Sequence, residues 1–464
     1  MRKFTLQDGR RRFAVICCLL LLLFAGVIFR LGWIQLVRAD DMRRMNQDQL
    51  NAYLTKKQPR GRIVDRDGEE LAVSIMTGSL YVDPEEMNKD TINSGKPRPH
   101  NVQRVAADLL APVLKMDADE LYKTFCLKGR FVWLKRTMEP KDVEQVRKII
   151  QDNKLSGLHF MEESKRYYTK KRVAAQILGF IGTDDVGLSG IEYQLDKVLK
   201  GKDIKYAMTT DAHGKQILGG FLNENAQDMQ KKQEQLLTVY LTLDSKMQYV
   251  LEDAMDDAIA RTHAKGAAAI IMDPHTGEIL GMASRPTFDP NHFGDYSQEA
   301  WNNKAISMIY EPGSVFKPLV GCMGLTEGII SPDTVFQDNG SIRIADRIIH
   351  NWDGEGLGPV PFSTIIKFSI NTGMVQLGMS LGADRLIGYA KKFGLGASTG
   401  IDLPGEEEGI LYDPKMMYEP DVATMAIGQG IAVTPIQVLR AICVIRKRSI
   451  PLSILQALRL SASL

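Results

Sequence analysis

Apolar residues near the start of the chain form one long run, and this pattern predicts a membrane-spanning helix. The segment FAVICCLLLLLFAGVIF, residues 13–29, holds 17 uncharged residues, and LGWIQLV continues the apolar character after Arg30. At a rise of 1.5 Å per residue, this length is about enough to cross a hydrocarbon core of ~30 Å. We therefore predict a short tail at 1–12 and a transmembrane anchor over 13–37.

Basic residues precede this run and indicate its orientation. They outnumber the single acidic residue, Asp8, and are Arg2, Lys3, Arg10, Arg11 and Arg12. This bias holds the N-terminus in the cytoplasm and predicts a single-pass protein whose body is extracytoplasmic. The alternative is a cleaved signal peptide, but the run is long and no small-residue cleavage site of the A-x-A kind follows it.

The polar and apolar pattern then divides the chain further. Residues 38–58 are polar, with a few apolar positions at helical spacing, and predict a helical stalk. Residues 59–240, which we call the pedestal, mix both periodicities and predict an α/β fold. Its predicted strands are IVDR, ELAVSI, FVWLKR and HFMEESKRYY, and its predicted helices are VQRVAADLLAPVLK and EPKDVEQVRKIIQDN.

A new domain is expected to begin near residue 241 and to extend to 445. The segment TVYLTLDSKMQYVLEDAMDDAIA predicts a strand and then an amphipathic helix capped near Asp244. Two apolar β runs, AAAIIMD and EILGMAS, follow and flank a turn of sequence Pro-His-Thr-Gly at 274–277. This spacing predicts an antiparallel hairpin whose first strand is covered by helices on at least one side.

Composition narrows the classes of function. The 464 residues are 44% hydrophobic and 25% charged, which excludes a wholly disordered chain. The net charge of +2 implies no nucleic-acid partner. Five cysteines without ligand spacing exclude a disulfide scaffold and argue against zinc, and the histidines show no ligand pairing. No metal or cofactor is expected.

Two short motifs contain the candidate chemistry. Ser314 and Lys317 lie three residues apart at a predicted helix start, where a desolvated lysine can take the proton of a serine nucleophile. Ser369 and Asn371 lie two apart in a predicted loop, and their side chains can face one cleft. The structural alternatives are a helix N-cap serine with a solvated lysine, and a serine turn before a helix cap at Asn371 or Thr372.

Together these motifs resemble a known family. Ser-x-x-Lys at 314–317 followed by Ser-x-Asn at 369–371 resembles the first two active-site motifs of penicillin-binding proteins and serine β-lactamases. Four further segments resemble class B penicillin-binding proteins, the monofunctional transpeptidases: RGRIVDRDG (60–68), AAQILGFIG (174–182), GLSGIE (187–192) and GQGIAVTPIQ (428–437). Within this class the chain is most similar to the septal division and stage V sporulation protein D branch. Tyr168-Thr169 departs from the Tyr-Pro that is frequent there.

The resemblance implies an architecture and a reaction. The fold would be a membrane-anchored multidomain α+β protein, with a transmembrane helix, a mixed α/β pedestal of the dimerisation-domain type and a β-lactamase-like transpeptidase domain. Ser314 would attack the D-Ala-D-Ala carbonyl of a peptidoglycan stem peptide, with Lys317 as base and Ser369 as proton relay. Asn371 would bind the substrate. Partners would be stem peptides, β-lactams, the cytoplasmic membrane and other division or sporulation membrane proteins.

The third active-site motif of the family, Lys-Thr/Ser-Gly, is missing from the sequence. No lysine is followed by Ser or Thr and then Gly, and residues 446–464 are a basic cluster followed by Leu/Ser-rich sequence. We therefore expect an incomplete transpeptidase domain at 241–445, an aberrant tail from a truncation or frameshift, and impaired activity. The alternative is a non-catalytic scaffold of the division or sporulation machinery. A β-lactamase or β-lactam sensor is disfavoured because no deacylating base is evident.

Overall fold

The computed structural model describes residues 23–33, 51–56, 59–93, 102–200, 204–209, 238–446 and 458–459. The chain divides into two compact units. The first comprises Met1–Gln58 and Lys202–Gln235, and the second comprises Pro59–Gly201 and Leu236–Leu464.

The strands of the described residues are numbered in chain order. They are β1 (Asn51–Lys56), β2 (Arg62–Val64), β3 (Glu70–Val82), β4 (Val132–Lys135), β5 (Leu158–Tyr168), β6 (Ile204–Thr209), β7 (Thr238–Leu241), β8 (Ala267–Met272), β9 (Ile279–Arg285), β10 (Val335–Asp338), β11 (Ser341–Ile344), β12 (Arg347–His350), β13 (Gly358–Pro361) and β14 (Leu458–Arg459). Most of these strands pair antiparallel; the exception is the parallel pair of β2 and β7.

The helices are numbered in the same way. They are α1 (23–33), α2 (Pro84–Asn93), α3 (Val102–Leu114), α4 (Ala118–Phe125), α5 (Pro140–Asp152), α6 (Ala175–Leu178), α7 (Gly190–Gln194), α8 (Asp196–Leu199), α9 (Ser245–Thr262), α10 (Gln298–Trp301), α11 (Lys304–Ser307), α12 (Lys317–Thr326), α13 (Phe362–Phe368), α14 (Asn371–Lys392), α15 (Glu419–Met425) and α16 (Pro435–Arg446). Short 3₁₀ turns lie at Pro290–Asp295, Gly313–Phe316 and Pro414–Met416.

In the first unit, the described residues form one helix and one strand pair. Helix α1 lies within the predicted anchor, whose remaining residues are outside the described part of the chain. Within the described residues, none of the helices combines the length and the apolar composition that a membrane span requires.

Strands β1 and β6 of this unit pair antiparallel, with Asn51 opposite Thr209. The predicted helical stalk is therefore wrong over residues 51–56, where Tyr53 and Thr55 favour a strand and β6 supplies the backbone partner. The rest of the stalk, the tail at 1–12 and most of the tail at 446–464 lie outside the described residues.

In the second unit, strand β3 organises the sheet of the pedestal. It pairs with β5 along its length, from Ala72 opposite Tyr168 to Val82 opposite Leu158. On its other side, β3 pairs with β2 near its start and with β4 near its end. The predicted strands and the two predicted helices of the pedestal are confirmed as β2, β3, β4, β5, α3 and α5.

The turn between β2 and β3 depends on one buried carboxylate. Asp65 Oδ1 accepts hydrogen bonds from the N–H groups of Asp67 and Glu69 at 2.9 and 2.8 Å. Gly68 has φ +87°, a left-handed conformation that glycine adopts without strain. Asp65 Oδ2 also accepts from the N–H of Ser245 at 3.3 Å, so the same side chain joins this turn to the start of α9.

Two buried arginines of the pedestal converge on one buried glutamate. Arg60 Nε and Arg166 Nε donate to the two carboxylate oxygens of Glu192 at 2.5 and 2.7 Å, and all three residues are at most 6% exposed. Arg60 also donates to Asp196 at 2.7 Å, and Arg166 donates to the carbonyl of Gly61 at 2.6 Å. The ion pair between Arg60 and Glu192 thus joins segment 60–68 to segment 187–192.

Strand β7, at the end of the pedestal, belongs to the same sheet as β2 and β3. Strand β7 pairs parallel with β2, with Ile63 opposite Val239. A single apolar core includes Ile63 and Ile177 from residues 59–201 and Val239, Met282 and Ile436 from residues 236–464. These two segments therefore pack as one body in the second unit.

The predictions for the segment after residue 241 are confirmed locally. Asp244 caps α9, because its carboxylate accepts from the N–H groups of Lys246 and Met247 at 2.9 and 3.0 Å. Strands β8 and β9 form the predicted antiparallel hairpin, with Ala267 opposite Arg285. A second apolar core includes buried residues of α12 and α14.

The buried glutamate gives a first prediction, on stability. Glu192→Gln removes the negative charge that the two buried guanidinium groups share and leaves Arg60 only Asp196, so we expect the free energy of unfolding to fall by about 3 kcal/mol. Glu162→Gln is the matched control, since this exposed glutamate lies on β5, the strand that carries Arg166. Urea denaturation followed by circular dichroism measures both. Equal stability of the two variants would contradict a structural role for the ion network.

Candidate active site

The candidate nucleophile lies in a tight turn before a buried helix. Ser314 belongs to the 3₁₀ turn Gly313–Phe316, and α12 begins at Lys317. The side chain of Phe316 is buried in the core, whereas Ser314 is exposed. Among the described residues, no group makes a hydrogen bond with the Ser314 hydroxyl, so this oxygen faces solvent at the start of a helix.

The segment 428–433 holds this turn in place. Gly313 donates its N–H to the carbonyl of Gly428 at 2.9 Å, and Tyr310 and Val433 exchange both backbone hydrogen bonds at 3.0 Å. A Cβ on Gly428 would lie 2.0 Å from the carbonyl oxygen of Gly313, so only glycine allows this approach. The N–H of Gly430 donates to Glu311 at 2.8 Å. The segment GQGIAVTPIQ, residues 428–437, therefore holds the backbone on which Ser314 lies.

Lys317 is buried but surrounded by oxygen acceptors. Its side chain is 2% exposed, and Nζ donates to the Oγ of Ser369 at 2.9 Å, to the carbonyl of Ser369 at 2.7 Å and to Oδ1 of Asn371 at 2.6 Å. Burial lowers the pKa of Lys317 to about 8. The amine therefore exchanges its proton much closer to neutrality than a surface lysine does.

The two residues of the second motif meet Lys317 because the chain turns sharply between two helices. Ser369 ends α13 in the left-handed conformation, with φ 54°, and α14 begins at Asn371. Ile370, between them, is buried in the core. Ser369 and Asn371 are thereby placed on the same side of the turn, and both contact the amine of Lys317.

The structure thus brings three of the four predicted site residues into contact. Lys317, Ser369 and Asn371 share one hydrogen-bonded cluster, although 52 and 54 residues separate the lysine from its partners. Ser314 is one turn before Lys317 and outside this cluster. The arrangement can provide a solvent-facing hydroxyl, a base of lowered pKa and a second hydroxyl that can pass a proton.

Sequence reasoning missed a set of residues behind this cluster. Asn371 Nδ2 donates to the carbonyl of His350 at 2.8 Å, and Asn351 accepts from the N–H groups of Asn371 and Thr372. These contacts come from the segment 350–351, which follows β12. No local motif links it to 369–371, because the contact depends on how the loop after β12 folds back.

No metal cluster is found in the part of the chain that the structure describes. Within these residues, no three His, Cys, Asp or Glu side chains come close enough to hold an ion.

Two family models match consecutive parts of the chain. The model of the penicillin-binding protein dimerisation domain matches residues 55–228, and that of the penicillin-binding protein transpeptidase domain matches residues 267–459. A crystal structure of a peptidoglycan synthetase from Bifidobacterium adolescentis has a TM-score of 0.61 and 27% identity, and the match covers 86% of this chain and 73% of that one.

Curated proteins show the same relationship. Stage V sporulation protein D of Bacillus subtilis is 33% identical over 432 residues, which are 91% of this chain and 64% of that protein. Peptidoglycan D,D-transpeptidase FtsI of Escherichia coli is 29% identical over 458 residues, or 96% of this chain and 72% of its own length. The chain thus spans about two thirds of the length of these relatives. With both domain models matched in order, the chain belongs to the class B penicillin-binding proteins.

Proposed function

We propose that the protein is a serine D,D-transpeptidase that cross-links peptidoglycan stem peptides through an acyl-enzyme on Ser314. The observation that carries this proposal is the buried Lys317 amine, with its lowered pKa and its contacts to Ser369 and Asn371. The names of the relatives support the substrate class.

In the first step, the Oγ of Ser314 attacks the carbonyl carbon of the penultimate D-Ala while its proton passes to the neutral amine of Lys317. With a pKa near 8, about one tenth of the lysine is neutral at pH 7. The C–N bond to the terminal D-Ala then breaks, and the proton reaches the leaving amine through Ser369. The products of this step are free D-Ala and an ester on Ser314.

In the second step, an amino group of a neighbouring stem attacks the ester. It loses a proton to the same lysine, and the C–O bond to Ser314 breaks as that proton passes on to the Oγ, which restores the hydroxyl and the neutral amine. The amide of Asn371 donates a hydrogen bond to the substrate, as in the family pattern. A β-lactam enters only the first step, because its ring amide opens to give a stable ester.

We also propose that the protein acts at the outer face of the cytoplasmic membrane. Support comes from the apolar run over residues 13–37 and the basic residues before it. Partners of the pedestal would be other membrane proteins of division or sporulation. Trypsin digestion of intact protoplasts tests this arrangement, since an extracytoplasmic body is cleaved while a cytoplasmic one is protected.

A second prediction concerns the nucleophile. The purified full chain should be covalently labelled by a fluorescent penicillin, and Ser314→Ala should remove the label because no other group forms the ester. Ser380→Ala, an exposed serine on α14, should label like the wild type. Gel fluorescence and peptide mass spectrometry measure the label. Folded wild-type chain that stays unlabelled would favour the scaffold role, and slow labelling would support the expected impairment.

A third prediction concerns pH. Because the neutral amine accepts the proton, the acylation rate should rise with pH and reach half of its plateau near pH 8. Lys317→Arg, which stays charged, should lower the rate by about 10²–10⁴-fold. Lys367→Arg, an exposed lysine on α13, is the control. Stopped-flow fluorescence between pH 6 and pH 10 gives the profile, and a rate independent of pH would exclude Lys317 as the base.

A further inference from the structure

The start of α14, which carries Asn371, is capped by a side chain from a distant loop. Asn351 follows β12, and its Oδ1 accepts from the N–H groups of Asn371 at 3.0 Å and Thr372 at 3.2 Å. Ile370, at the usual capping position, has no side-chain acceptor. Asn351 therefore supplies, from 20 residues upstream, the acceptor that the first turn of this helix requires.

A buried carboxylate holds Asn351 in this orientation. Asp338, at the end of β10, is 1% exposed, and its Oδ1 accepts from Asn351 Nδ2 at 2.8 Å and from Thr372 Oγ1 at 2.7 Å. The N–H groups of Gly340 and Leu357 donate to the same carboxylate at 3.1 and 2.9 Å. Burial alone would raise the pKa of Asp338, but these four donors outweigh it and the pKa is lowered.

The residue before Asn351 sets the direction of the Asn371 amide. Asn371 Nδ2 donates to the carbonyl of His350 at 2.8 Å, which leaves Oδ1 to accept from Lys317 Nζ at 2.6 Å. A flipped amide would place its oxygen against the carbonyl and its NH₂ group against the lysine donor. Residues 350 and 351 therefore determine both where the helix begins and which end of the amide faces the base.

We propose that Asp338 and Asn351 are positioning residues of the transpeptidation reaction, acting through Asn371 and the start of α14. They keep Ser369 and Asn371 in contact with Lys317, so that the amine stays aligned with the proton that it must accept. As a role in the reaction, this rests on the function proposed above. A misplacement of about 1 Å at such a site can lower a rate by about 10²-fold.

Two variants test the proposal. Asn351→Ala removes the cap, and Asp338→Asn keeps the side-chain volume but turns one acceptor into an NH₂ group that faces a donor. Asn339→Ala is the matched control, because this exposed asparagine next to Asp338 accepts only a surface contact from Gln337. All are made in the full chain and measured at 10 °C, with circular dichroism to show that they are folded.

Two measurements give the expected results. Hydrogen exchange at the N–H groups of Asn371 and Thr372, followed by mass spectrometry of peptides covering 370–374, should be about tenfold faster in Asn351→Ala and Asp338→Asn. The second-order rate constant for acylation by fluorescent penicillin should fall by at least about tenfold in both. Asn339→Ala should match the wild type in both measurements.

Each other outcome has a definite meaning. Unchanged exchange in both variants overturns the proposal, whatever the activity of the chain. Faster exchange with wild-type acylation by the folded variants reduces these residues to a purely structural role and overturns it too.

A wild-type chain that does not label contradicts the proposed function alone. Competitive acetylation of Lys317 by acetic anhydride then decides the geometry, independently of catalysis. If Lys317 is acetylated several-fold faster in Asn351→Ala than in Asn339→Ala, the positioning role is supported. Equal rates overturn it.

Discussion

A lysine amine that is removed from water must find oxygen acceptors, and at Lys317 this requirement ties the candidate site together. Its three contacts all go to Ser369 and Asn371, more than 50 residues further along the chain. If the turn between α13 and α14 were displaced, the amine would be left buried without partners, which is costly. Burial of the Lys317 side chain therefore fixes the position of the Ser-x-x-Lys motif relative to the Ser-x-Asn motif.

A small number of backbone contacts holds the neighbouring turn Gly313–Phe316. Gly428 allows the backbone of 428–433 to lie against the turn that carries Ser314, and Val433 pairs with Tyr310 just before it. The candidate nucleophile itself has no role in this packing, because its side chain is exposed. Its position depends on the backbone around it, while the base depends on its side-chain partners.

Local patterns predicted what local interactions determine. The cap at Asp244, the hairpin of β8 and β9 and the two pedestal helices follow from spacing and turn residues, and all are present. The stalk prediction failed over residues 51–56, where pairing with β6 outweighed a weak helical pattern. The role of Asn351 could not be predicted either, since a capping residue 20 positions away leaves no periodic signal.

The parallel pairing of β2 with β7 has a mechanical consequence. Residues 62–64, near the start of the pedestal, and residues 238–240, at its end, lie side by side, with paired positions from Arg62–Thr238 to Val64–Tyr240. A pull on the N-terminal side of β2 is opposed by the body that follows β7, so it loads these paired positions in shear and together. Tension on β2 therefore reaches the segment before α9 through β7, as well as the rest of the pedestal sheet through β3.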